Sequence, residues 1–255
     1  MSIRVIFQAL VVVSATFGNA WAQSAQPPVR YALLSAVGDQ LTVVYAKLQT
    51  GSRLDRNQRD IAALPDNTLD RLVLRNLDAA FKGTQAGGEV AALAAANASL
   101  FSVQREALMG AKPTDAVVRA FAAALPAGGA DRLLMVLKHR SEARIPVYNG
   151  TLGLGRLEGV GFYVDAVTPL KSADTGYIGT GFLAPFAYVR LVLADADGRV
   201  IAERRIEAAE SFSMGDSRDA LQPWEVLDAQ AKVNILDRLL KGEIERVLPG
   251  LLGSK

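Results

Sequence analysis

Few side chains in this chain could make or break bonds, and their spacing limits what that chemistry could be. The stretch Ser35-Ala36-Val37-Gly38-Asp39-Gln40-Leu41 has the spacing of a Gly-Asp-Ser-Leu nucleophile motif, but Gln40 stands where the serine belongs. A carboxamide cannot attack an ester as an activated hydroxyl does, so Ser35 could serve only from a different geometry. Acyl transfer also needs a general base. The chain holds one histidine, His139, within Leu137-Lys138-His139-Arg140, a position that the end of a strand explains without catalysis. A hydrolase alternative would use Ser35, or carboxylates such as Asp39 and Asp165, since two acids alone can cleave glycosides.

Metal and cofactor chemistry find less support. With no cysteine and a single histidine, a closed zinc site cannot be assembled from its usual ligands. Asp195-Ala196-Asp197-Gly198 opens like a calcium loop but lacks the third acid, and an Asp-Gly step between two apolar runs is a strong hairpin signal. Gly153-Leu154-Gly155-Arg156-Leu157-Glu158-Gly159 is one residue too long for a dinucleotide fingerprint. Gly150 to Gly155 has phosphate-loop spacing but continues Arg156-Leu157 where Lys and Ser or Thr belong. Both read as turn or strand-edge glycines, and no cofactor is expected. The segment from Asp174 to Tyr188 offers something else. Its glycines free the backbone while Tyr177, Phe182, Phe186 and Tyr188 supply large apolar area, the composition of a surface that meets a partner. These four are the candidate partner-binding residues; the opposing reading places Phe186 and Tyr188 in a strand facing the core.

The elements that must position these residues follow from periodicity. Arg30 to Ser35 and Leu41 to Leu48 read as two strands of an opening hairpin turned at Gly38-Asp39. Leu69, Leu72, Val73, Leu77, Ala80 and Phe81 form a helical stripe capped at Asp66 or Asn67 and ended by Gly83. The alanine-rich stretch Glu89 to Leu108 predicts helix, interrupted near Asn97 to Ser99, and a second helix starts at Pro113. Asp131 to Lys138 is an apolar run of strand length, which predicts a strand buried on both faces at the centre of the sheet. Gly159 to Val164, Phe186 to Leu193 and Val200 to Ile206 supply further strands, the last two joined by the Asp-Gly turn. Pro223 is expected to open a long amphipathic helix through Leu252. The fold class is α/β: a mixed sheet with helices packed on it and a late antiparallel hairpin, closed by a C-terminal amphipathic helix.

Location is expected from the start of the chain. Arg4, the apolar run Val5 to Thr16 and the small-x-small pattern Ala20-Trp21-Ala22 have the order of a signal peptide over residues 1–22, cleaved after Ala22. Residues 23–29 then form an extended leader and 30–252 a single domain, exported to a bacterial periplasm, with no later transmembrane candidate. The 28 basic and 26 acidic side chains are interspersed, so no nucleic-acid footprint or polybasic membrane patch is visible.

The phrase Gly129-Ala130-Asp131-Arg132-Leu133-Leu134, the paired late strands around Leu193-Ala194-Asp195-Ala196-Asp197-Gly198-Arg199-Val200 and the closing helix occur in a recognisable order. This order resembles the α/β domain of envelope assembly proteins: the amino-terminal domain of the Tol translocation protein, the curli secretion lipoprotein and the lipoprotein activators of penicillin-binding proteins. The two lipoprotein groups carry a lipidated cysteine that this chain lacks, so a soluble periplasmic form is expected. The resemblance implies a non-catalytic scaffold that binds an envelope protein, or another copy of itself, in envelope maintenance or secretion. A small-ligand-binding protein with a pocket near the glycine-rich segment is a further alternative.

Overall fold

The computed structural model describes residues 28–47, 55–84, 87–94, 98–125, 128–172, 174–217 and 220–253; the expected signal peptide lies outside them, as does Asn97. In chain order the elements are β1 (Arg30–Ala36), β2 (Gln40–Tyr45), β3 (Gln58–Ala63), α1 (Thr68–Lys82), β4 (Glu89–Ala94), α2 (Ala98–Leu108), α3 (Thr114–Ala123), β5 (Arg132–Lys138), β6 (Arg140–Glu142), β7 (Ile145–Val147), β8 (Gly150–Leu152), β9 (Arg156–Lys171), β10 (Ile178–Asp195), β11 (Val200–Ala209), β12 (Phe212–Ser213) and α4 (Ala229–Leu252). Ten strands form one mixed sheet whose main path runs β3-β2-β9-β10-β5-β1-β4, and β7 and β8 pair separately. The chain is therefore mixed α/β, with a late antiparallel hairpin and a closing C-terminal helix.

Strand β10 organises the sheet. Its 18 residues are long enough to serve two neighbours in succession: β9 pairs with Ile178 to Tyr188, and β5 with Val189 to Asp195. β11 and β12 also pair with it. β1 and β2 repeat this arrangement one step out, β1 beside β5 and β2 beside β9, both in parallel. The expected opening hairpin is thus replaced by two strands that follow one another and never pair. Gly38, at φ +86°, redirects the chain between them without reversing it. Each strand gains a neighbour on both sides, β4 and β5 for β1, β3 and β9 for β2, where a hairpin would have supplied only one.

Helices cover both faces. α1 and α4 bury Leu72, Leu77, Phe81, Leu240, Ile244 and Leu248 against Leu33, Val136, Val189 and Leu191, while α2 and α3 bury Leu100, Val117 and Phe121 against Leu34, Leu133, Met135 and Val192. Residues of opposite parity along β5 and β10 face the two layers, as a strand buried on both sides requires. The centre of the path is β10, with β5 beside it.

Two helix expectations change. Glu89–Ala94 is a strand, parallel to β1 in register from Arg30 with Glu89 to Ser35 with Ala94. The unpaired edge of β1 outweighs the modest helix preference of alanine, and helix begins only at Ala98. The last helix begins at Ala229, where the Asp228 side chain accepts from the Ala231 amide at 2.7 Å. Pro223 opens a separate single turn that places Trp224 edge-on against Phe162. Among the described residues no helix is long and apolar enough to cross a membrane.

Candidate binding cleft and contact arm

The sheet splits where β5 ends and β9 begins, because residues 139–155 leave on an excursion through β6, β7 and β8 before β9 resumes along β10. Such a split leaves backbone groups without strand partners. Gln104 on α2 takes the place of a strand: its Nε2 donates to the Ala36 carbonyl at 2.8 Å and its Oε1 accepts from the Lys138 amide at 2.9 Å. It thereby ties together the carboxyl ends of the parallel strands β1 and β5, the position at which α/β sheets characteristically open a ligand crevice. A cleft of about 210 Å³ lies there. Asp39, Arg105, Lys138 and Glu158 provide its charges, and Phe101 and Leu108 its apolar wall. Burial pulls the Lys138 ammonium below its ordinary range, with the nearby carboxylates of Glu158 and Asp70 working against that shift.

On the α1 side of the same split lies a closed polar knot. Ser35 and Asp70 are fully buried; the Ser35 hydroxyl donates to Asp70 Oδ1 at 2.5 Å, and the Gly38 amide donates to the same oxygen at 3.0 Å. Asp70 Oδ2 has no hydrogen-bond partner. Burial holds the Asp70 carboxyl above its ordinary value, opposed by the hydrogen bonds from Ser35 and Gly38. Ser35 is therefore committed to holding Asp70 and the Gly38 bend. His139 Nε2 lies 3.0 Å from Glu207 Oε1, and Asp39 faces the cleft. Asp165 accepts from the Val167 and Thr168 amides and from the Thr168 hydroxyl, all within 2.8 Å, which ties down the segment of β9 where its register with β10 shifts. No hydrogen bond joins Ser35, Asp39 and His139. Among the described residues no three His, Asp or Glu side chains converge as a metal site.

The four aromatic candidates separate. Phe182, Phe186 and Tyr188 are completely buried, which corrects their expected role at a partner surface. They share one face of β10 with Ala184 and pack under the excursion against Ala143, Ile145 and Leu157. The Tyr188 hydroxyl accepts from the Arg144 amide at 2.9 Å and donates to the Glu142 carbonyl at 3.3 Å, so its polar end anchors the excursion. Tyr177 is 62% exposed and its neighbour Ile178 73%. Both lie at the tip of the β9–β10 hairpin, whose exposed face continues through Val167 and Pro169.

Beside these apolar side chains, hydrogen bonds hold the described backbone of the tip. Ser172 Oγ accepts from the Asp174 and Thr175 amides, the Ser172 amide donates to the Tyr177 carbonyl at 2.8 Å, and the Thr175 hydroxyl donates to the Gly215 carbonyl at 2.8 Å. A bulge at Gly181 sets its direction. At φ +97° a Cβ there would stand 2.7 Å from the Asp165 carbonyl oxygen and 2.7 Å from Pro223 Cγ.

No protein-family model and no curated protein matches the chain. Position alone therefore has to identify its functional residues. Gln104, Asp70 and Arg190 are placed at or beside openings in the fold, and no motif in the sequence marks the first two. Arg190 carried a signal of its own, as the single charge inside the apolar run Phe186 to Leu193. Ile178 had one too, standing next to Tyr177 among glycines.

Proposed function

We propose that the chain is an exported, non-catalytic periplasmic protein that binds a protein partner in envelope maintenance or secretion, and that the β9–β10 tip is its contact arm. The observation that carries this reading is the exposure of Tyr177 and Ile178 on a hairpin whose backbone is already ordered by the Ser172 and Thr175 hydrogen bonds. Large apolar side chains carried on backbone that is already hydrogen-bonded meet a partner with less backbone entropy to lose. The leader pattern of residues 1–22 supports export, and the order of elements around Gly129-Ala130-Asp131 and Asp195 to Gly198, similar to envelope assembly domains, supports an envelope role. The reactive side chains are occupied elsewhere: Ser35 and Asp165 hold backbone turns and His139 pairs with Glu207.

The test combines fractionation with crosslinking in intact cells. The mature protein is expected in the periplasmic fraction with Gln23 as its first residue, and a discrete crosslinked species is expected that disappears when Tyr177→Ser and Ile178→Ser are combined. Retention in the cytoplasm, or a crosslinked species unchanged in the double variant, would overturn the reading.

A further inference from the structure

A second cavity, of about 180 Å³, adjoins the cleft at Lys138 and opens between α2, the start of α3, the end of β5 and the paired strands β10 and β11. We propose that it is an oxyanion-binding site that takes the phosphate group of a small ligand or headgroup on Arg190 and Arg205. Arg190 is only 6% exposed, its Nε makes no hydrogen bond, and its closest carboxylate, Glu203, stands 3.8 Å away. A buried guanidinium normally has hydrogen-bond partners on every side, because desolvation without them is costly. Arg190 lines a cavity instead, with its Nε shut off from solvent and without a partner.

Its position explains the opening. Arg190 lies on the face of β10 that carries Phe182, Phe186 and Tyr188 on one side of it and Val192 and Ala194 on the other. The excursion covers the first group and α2 and α3 cover the second, so Arg190 falls in the gap between two covers. Directly across the ladder from it is Arg205. Like charges opposite each other in a sheet destabilise it unless a counter-charge intervenes. Glu203 is shared by both arginines at 3.8 and 3.6 Å, beyond hydrogen-bonding distance, and Lys138 and Arg140 add further positive charge to the same cavity. Burial lowers the Arg190 pKa; Glu203 and Asp115 oppose that shift and Arg205 adds to it.

The start of α3 supplies a second kind of recognition. Thr114, its first residue, lines the cavity, and Pro113 at the cap offers the first turn no side-chain acceptor. A helix amino terminus in this state favours an anion, and two guanidinium groups favour a multidentate oxyanion over chloride. Asp115 in the first turn and Glu203 limit the excess positive charge, which fits one phosphate group and not a polyanion.

The site is independent of the contact arm, so its failure leaves the arm untouched and the reverse. The test is calorimetric titration of the full mature chain with inorganic phosphate at constant ionic strength, repeated with Arg205→Gln and Arg190→Met. Arg205 is largely exposed, so its variant folds even where Arg190→Met does not. The expected result is saturable phosphate binding that Arg205→Gln weakens at least tenfold, with no loss of thermal stability in the unliganded variant. No heat beyond that of a chloride control, or equal binding by wild type and Arg205→Gln, overturns the proposal. Sedimentation with phosphatidylglycerol vesicles separates the sources: capture that inorganic phosphate reverses assigns a lipid headgroup, and phosphate binding without capture assigns a soluble phosphate compound.

Discussion

Strand β10 is turned at both ends, and the two turns are opposites. The β10–β11 end is polar and tight: Asp195 Oδ1 accepts from the Asp197 and Arg199 amides at 3.0 and 2.9 Å, and Gly198 packs on the α3 backbone at Arg119. At the β9–β10 end Ser172 and Thr175 hold the described backbone, and the large apolar side chains Tyr177, Ile178 and Val167 point outward beside the exposed Lys171 and Asp174. One turn spends its side chains on its own fold. The other fastens its backbone with serine and threonine and leaves its large side chains unused, which is why it, and not the Asp-Gly turn, is assigned the contact.

The comparison breaks most readily at the bulge that aims the arm. Gly181→Val places a Cβ against the Asp165 carbonyl and Pro223 at a backbone angle that valine resists, with an expected loss of about 3 kcal/mol or more in urea unfolding. Asp70→Ala strips Ser35 and Gly38 of their shared acceptor between the two ends, at an expected cost of about 2–3 kcal/mol. Asp195→Ala removes the side-chain acceptor of the polar turn and should cost about 1 kcal/mol, read as faster hydrogen exchange at Arg199. The smallest effect on stability is expected at the apolar tip: Tyr177→Ser with Ile178→Ser should change unfolding by about 0.5 kcal/mol or less while abolishing partner crosslinking.

The interior adds a pH signature of its own. Asp70 binds its proton more tightly folded than unfolded, so its contribution to stability is complete below the ordinary value of 3.8 and is lost as pH rises through the raised folded value. Asp70→Asn should flatten that part of the stability curve, measured by urea unfolding across the acid range. An unchanged slope would place the proton elsewhere.

Much of the fold could be read from single residues. The stripe Leu69 to Phe81, the apolar run Leu133 to Leu137 and the Asp195 to Gly198 turn each carry a local period or turn chemistry, and each is found where its pattern places it. What could not be read depends on neighbours distant in the chain. Glu89 to Ala94 is a strand because β1 offers an edge, and β1 and β2 do not pair because each has both of its edges occupied by other strands. Phe182, Phe186 and Tyr188 face inward because the excursion covers a strand face that alternation alone leaves undecided. The Arg190–Arg205 pair exists only through a register between two strands.

The account depends on the difference between the two ends of β10. A photoreactive residue placed at Tyr177, and separately at the exposed Asp197, tests it in intact cells. The account predicts a discrete protein adduct from position 177 and none from 197. Adducts of equal yield from both positions, or none from 177, would contradict it.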